Sequence, residues 1–127
     1  MKKTSTPPPK VSEPPLFHLI YRFYLEWYVL CRSLPKLDRF TIGEKVSNLL
    51  LEILTQCVIA YHTKEQIQKR KYLTEMNISF EAIKVLIRLA KDTRAIDRNA
   101  YIRHEEKLQT MGKMIGGWIV SIPKTGR

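Results

Sequence analysis

Seven positions, Tyr101, His104, Leu108, Met111, Ile115, Trp118 and Ile122, follow one another in steps of three and four without interruption. That spacing keeps side chains on one face of an α-helix, whereas a strand would need strict alternation. The same rhythm runs through Val46, Leu50, Ile53, Cys57 and Ala60, and again through Met76, Phe80, Ile83, Ile87 and Ala90. No segment alternates as a half-buried strand does, so the expected fold class is all-α. Local chemistry sets the boundaries. A first helix is expected from about Leu16 to Leu34, where Pro35 stops it. "TIGE" offers Thr41 as a cap with Glu44 reaching back, which opens a second helix ending near Tyr61. "TKEQ" repeats the device with Thr63 and Gln66 and opens a third, ending near Asp92. Asp97 caps the fourth, which Pro123 and Gly126 close. Four helices on short connections predict an up-down-up-down four-helix bundle over residues 16–123.

The first helix departs from this pattern. Phe17, Ile20, Tyr21, Phe23, Tyr24, Leu25, Trp27, Tyr28 and Leu30 spread apolar surface nearly all the way round it, which implies burial on more than one side. A lone bundle leaves each helix a wet face, so this helix is expected to contribute to a subunit interface. The stretch "LFHLIYRFYLEWYVLC" is broken by Arg22 and Glu26 and is short for a membrane span, so the expectation is a soluble, cytoplasmic protein without a membrane partner. Residues 1–15, "MKKTSTPPPKVSEPP", carry prolines and small polar residues where a signal peptide would carry an apolar run. They are read as a flexible arm, and residues 124–127 as a short basic tail. Cys31 and Cys57 sit far apart in apolar surroundings and are read as reduced, small core residues.

No catalytic constellation emerges. A bundle-borne di-iron centre needs Glu-x-x-His, and no glutamate has a histidine three residues later. His18, His62 and His104 fall on different helices or their ends, and no phosphate loop, nucleophile elbow or zinc pattern is present. The expectation is a protein that is not an enzyme, with no metal and no cofactor. Positive charge carries more information. The chain has 22 lysines and arginines against 12 acids, a formal net charge of +10 and a pI of about 9.8. Such an excess suits a polyanionic partner, while charge serving only solubility is the competing reading. Lys84, Arg88, Lys91 and Arg94 step along one side of the third helix. Arg32, Lys36 and Arg39 surround the first loop, which alternating topology places at the same end as Lys91, Arg94 and Arg98. Lys64, Lys69, Arg70 and Lys71 lie at the opposite end with Lys124 and Arg127. Clusters of this kind suit phosphate contacts, which give affinity without reading sequence.

Three glycines interrupt the fourth helix in "MGKMIGGWIVSIPK", each costing about 1 kcal/mol relative to alanine. Gly112 and Gly116 stand four apart, a spacing that lets another helix approach closely, and Gly117 leaves room beside Trp118. Close packing is the expected compensation.

The pattern "SLPKLDRFTIGEK" (33–45), then "LIRLAKD" (86–92), then Tyr101 and "MGKMIGGWI" (111–119), resembles the accessory variability determinant (Avd) proteins of diversity-generating retroelements over roughly residues 16–123. Its most specific element is G-x-x-x-G-G-W with LPK…R upstream. The resemblance implies a four-helix protomer assembled into a pentameric barrel. It also implies a basic surface that binds the element's reverse transcriptase and its template RNA in support of error-prone cDNA synthesis and mutagenic retrohoming, while the basic stripe and loop cluster are themselves expected to bind RNA or a DNA/RNA hybrid mainly through phosphate. Chemistry would belong to the partner. Four-helix proteins encoded within ribosomal RNA intervening sequences share the architecture and a basic surface, and a structural oligomer of that type is the alternative.

Overall fold

The computed structural model describes residues 13–124. Residues 1–12 of the arm, and residues 125–127 with Gly126 and Arg127, lie outside them. The elements are α1 (Pro15–Cys31), α2 (Lys36–Asp38), a π-helical turn (Arg39–Gly43), α3 (Glu44–His62), α4 (Gln66–Asp92) and α5 (Arg98–Val120). Among the described residues there is no strand. α2, the π turn and α3 run on as one helical arm, so four long helices remain. α3 packs against α1 and α4, and α5 closes the square by touching α4 and α1.

Helical periodicity locates the core. Val46, Leu50, Ile53, Cys57 and Ala60 of α3, and Met76, Phe80, Ile83, Ile87 and Ala90 of α4, are all fully buried. They meet Ile20, Phe23 and Trp27 of α1 and Leu108, Met111 and Ile115 of α5. In the first turn of α5 the innermost position falls to Ala100, with Tyr101 and, further on, Trp118 half-buried against the core. His104 is a core residue: its Nδ1 lies 2.8 Å from the Ala100 carbonyl and its ring stands edge-on to Phe23 and Trp27. Burial pushes its pKa below the usual histidine value, which keeps it neutral at pH 7 with Nδ1–H as the donor. Burial also pushes the Cys57 thiol up to about 12, while Cys31 is half-buried; both are free.

Two of the expected caps are corrected. Thr41 does not cap a helix, because the chain is already helical from Lys36, and its Oγ1 donates back to the Leu37 carbonyl at 2.8 Å. Pro35 opens this arm rather than ending a long first helix: α1 stops at Cys31, and a proline is tolerated where a helix begins because its missing N–H would be unpaired there. Thr63 likewise donates back to Ile59 at 2.6 Å, and Glu65 caps α4 by accepting from the Gln68 N–H at 2.7 Å. Asp97 caps α5 as expected, accepting from the Ala100 N–H at 2.8 Å.

Trp27 anchors the π turn. Its indole N–H lies 3.2 Å from Ser47 Oγ and 3.4 Å from the Gly43 carbonyl, which also accepts from Ser47 at 2.9 Å. Gly43 is glycine for a steric reason: a Cβ there would stand 3.2 Å from Leu34, 3.3 Å from the Asp38 carbonyl and 3.4 Å from Cys31 Sγ. α1 therefore determines how the loop bearing Arg32, Lys36 and Arg39 sits on the bundle.

The glycines of α5 divide. A Cβ at Gly112 would stand 3.2 Å from the Phe80 ring, so α4 and α5 do approach closely there. Among the described residues nothing lies within 4 Å of a Cβ at Gly116 or Gly117, so the expectation that Gly116 also receives a neighbouring helix is corrected for the protomer, and the space at Gly117 is open. The four-residue spacing is right, but α4 presents the Phe80 ring to Gly112 and, among the described residues, no atom to Gly116. Gly116→Ala is therefore expected to raise the thermal stability of the protomer by about 0.5–1 kcal/mol through helix propensity. A lowered melting midpoint would show that Gly116 is tightly packed after all.

α1 is apolar on two sides. Leu16, Ile20, Phe23 and Trp27 are buried, while Tyr21, Leu25, Tyr28 and Val29 on the outside are half or more exposed. Among the described residues no helix is long and apolar enough to cross a membrane.

Candidate nucleic-acid interface

The π turn packs against α4, and with α3 packed on α4 and α4 on α5 the element order assigns the first loop and the α4–α5 connection to one end of the bundle. Arg32, Lys36, Arg39, Arg88, Arg94 and Arg98 are exposed, and Lys84 and Lys91 are half-exposed. Neutralisation by neighbouring acids is slight. Lys84 pairs with Glu81 at 3.2 Å and Lys91 with Asp92 at 3.6 Å, both partners being well exposed, which makes such pairs weak. Among the described residues no carboxylate lies within ion-pair distance of Arg32, Lys36, Arg39, Arg88, Arg94 or Arg98. Asp97 is occupied as the cap of α5.

One stripe position is corrected. Lys84, Arg88 and Lys91 lie on α4, but α4 ends at Asp92 and Arg94 lies beyond it, with φ at 65°. The helix closes there as a Schellman-type turn, with the Ala95 and Ile96 N–H groups donating to the Ala90 carbonyl at 2.9 and 3.3 Å. Glycine is the usual residue for this left-handed position, and a side chain there costs about 1 kcal/mol. An arginine is kept where glycine would be easier.

The opposite end is less free. Arg70 Nη1 donates to the Ile119 and Ile122 carbonyls at 2.9 and 3.0 Å, satisfying groups that the end of α5 leaves unpaired. That arginine is a helix clamp, which leaves Lys64, Lys69, Lys71 and Lys124 as the described cations of the second cluster.

Sequence reasoning passed over the aromatic component of the basic end. Lys91 Nζ lies 4.5 Å from the Tyr101 ring centroid, and the Arg39 guanidinium lies 5.9 Å from that of Phe40. Phe40 is 59% exposed. The signal was its failure to join the rhythm that buries Val46 and Leu50. Along the α1–α5 seam a groove is lined by Arg22, Glu26, Arg103 and Lys107, with Lys107 bonded to Glu26 across it. Among the described residues no group of three or more His, Cys, Asp or Glu could hold a metal ion.

A family model described as bAvd-like matches residues 17–122, from the first turn of α1 to just beyond α5. The chain belongs to the bAvd-like family. This agrees with the resemblance carried by residues 33–45, 86–92 and 111–119, and it is consistent with an Avd protein, an accessory rather than catalytic class. Comparison with curated proteins and with solved structures returned no match. In this bAvd-like chain the basic end combines residues of two connections, Arg32, Lys36 and Arg39 in 32–43 and Arg94 in 93–97, with Arg88 and Lys91 of α4 and Arg98 of α5; Trp27 bonds to the first connection and Asp97 caps the helix after the second.

Proposed function

We propose that this protein is a non-catalytic accessory subunit of a diversity-generating retroelement, which binds the element's reverse transcriptase and template RNA in support of error-prone cDNA synthesis. The observation that carries the nucleic-acid part is the set of Arg32, Lys36, Arg39, Arg88, Arg94 and Arg98, exposed and, among the described residues, without a carboxylate within ion-pair distance. Such cations serve phosphate oxygens, which are the same in every sequence. Membership of the bAvd-like family supports this reading, in which the complex is cytoplasmic and the partner polymerase does the chemistry. Assembly follows from α1. Tyr21, Leu25, Tyr28 and Val29 leave an apolar face in water, and a homo-oligomer covers it, a pentamer by family resemblance.

Titrating RNA into the protein at several salt concentrations tests the reading. Two unrelated RNAs should bind with similar affinity, and log affinity should fall linearly with log salt, by about 0.7 per phosphate contacted on a single strand. Affinity independent of salt, or no binding at low salt, would end the nucleic-acid reading. Light scattering should find an oligomer at micromolar concentration, and co-expressed reverse transcriptase should co-purify. A monomer would remove the interface assigned to α1.

A further inference from the structure

At the end of the bundle where α1 stops and α5 begins, the same arrangement occurs twice: an aromatic ring with a cation held against it. Phe40, in the π turn, carries Arg39 at 5.9 Å from its ring centroid, and Tyr101, in the first turn of α5, carries Lys91 at 4.5 Å. Phe40 is 59% exposed, although a phenylalanine left in water forgoes the free energy of burial. Tyr101 lines a cleft of about 420 Å³ together with Lys91, Arg98 and Ile102, the last 40% exposed. The cleft therefore has two cations and two apolar or aromatic walls, and among the described residues no carboxylate lines it.

A surface that only held phosphates would need the cations and not the rings. Flat aromatic faces among cations suit a nucleotide whose base is free to leave its own stack: the base lies on the ring while its phosphate meets the cation. In a duplex the bases are paired and stacked inside, and protein rings meet only the sugar–phosphate rim. We infer that this end takes unpaired nucleotides of a single strand, one base stacking on Phe40 and another entering the Lys91–Arg98–Tyr101–Ile102 cleft. Arg39, Lys91 and Arg98 meet the adjoining phosphates. The inference rests on the nucleic-acid reading above and adds a preference for unpaired strands, supplied by the rings.

The test compares a single-stranded RNA with a duplex containing the same sequence, titrated at one salt concentration into the full chain and into Phe40→Ala and Tyr101→Leu variants. Phe40 is exposed, so Phe40→Ala folds as the parent does, and circular dichroism melting checks this. Phe40→Ala should weaken single-strand binding by roughly 5- to 100-fold and leave duplex binding within about twofold. Tyr101→Leu should act in the same direction. Equal losses on both RNAs, or no loss on the single strand, would overturn the inference while leaving the phosphate-binding reading standing. Unchanged RNA binding with lost co-purification of the reverse transcriptase would instead make Phe40 a protein contact and overturn the stacking role. If the parent protein binds neither RNA, the nucleic-acid reading itself fails.

Discussion

Trp27→Ala is expected to destabilise the protein by about 3–5 kcal/mol, enough to lower the melting midpoint by about 10–20 °C in a chain of this size. The indole is fully buried, and removing it leaves a void that the surrounding helices fill only in part. The loss is not confined to packing. Ser47 Oγ and the Gly43 carbonyl lose the indole N–H that now lies 3.2 and 3.4 Å away, at the point where the π turn joins α3. The basic loop should therefore loosen before the rest of the bundle does, which faster amide exchange over residues 39–47 would report. Trp27→Phe separates the two contributions, because it keeps most of the volume and removes only the donor. Its cost should be well below that of alanine, with the exchange effect on the loop retained. An alanine variant within 1 kcal/mol of the parent would mean that the loop does not depend on α1.

The burial pattern was legible in the sequence because period 3.6 is imposed by burial itself. All five expected positions in α3 and all five in α4 are fully buried, and His104 sits in the core seam where its spacing put it. Turn chemistry was not legible to the same degree. Whether a threonine caps a helix or bonds back within one depends on whether the preceding residues are already helical, and neither "TIGE" nor "TKEQ" carries that information. Thr41 and Thr63 both bond back, since the helical arm reaches Lys36 on one side and His62 on the other. Glycine spacing was half legible. Four residues place Gly112 and Gly116 near one face, but only the packing decides that Phe80 meets the first and that, among the described residues, nothing meets the second. In the candidate interface, topology alone gathered the cations. Which of them stay unpaired, that Arg70 clamps α5, and that Arg94 is left-handed depend on side-chain and backbone geometry that residue spacing does not encode.

That left-handed arginine lets binding and stability be separated by sign. Replacing Arg88, Lys91 and Arg94 with glutamine should flatten the dependence of log affinity on log salt by up to about 2 units for single-stranded RNA, roughly 0.7 for each phosphate that no longer meets a cation. The weakening should be similar for unrelated sequences, because phosphates carry no base information. Stability should hardly change: among the described residues Arg88 and Arg94 have no ion-pair partner, and the exposed Lys91–Asp92 pair contributes less than about 1 kcal/mol. Arg94→Gly goes further. Glycine adopts a φ of 65° without the clash that a Cβ brings, so this variant should be more stable than the parent by about 0.5–1 kcal/mol. It should also bind RNA more weakly, with a shallower salt slope. A purely structural arginine would give the opposite pairing, lower stability with unchanged affinity, and that result in melting and titration would remove Arg94 from the interface. Lower affinity with higher stability means that the chain carries a conformational cost to keep a cation at this turn, which a phosphate-binding role accounts for and a solubility role does not.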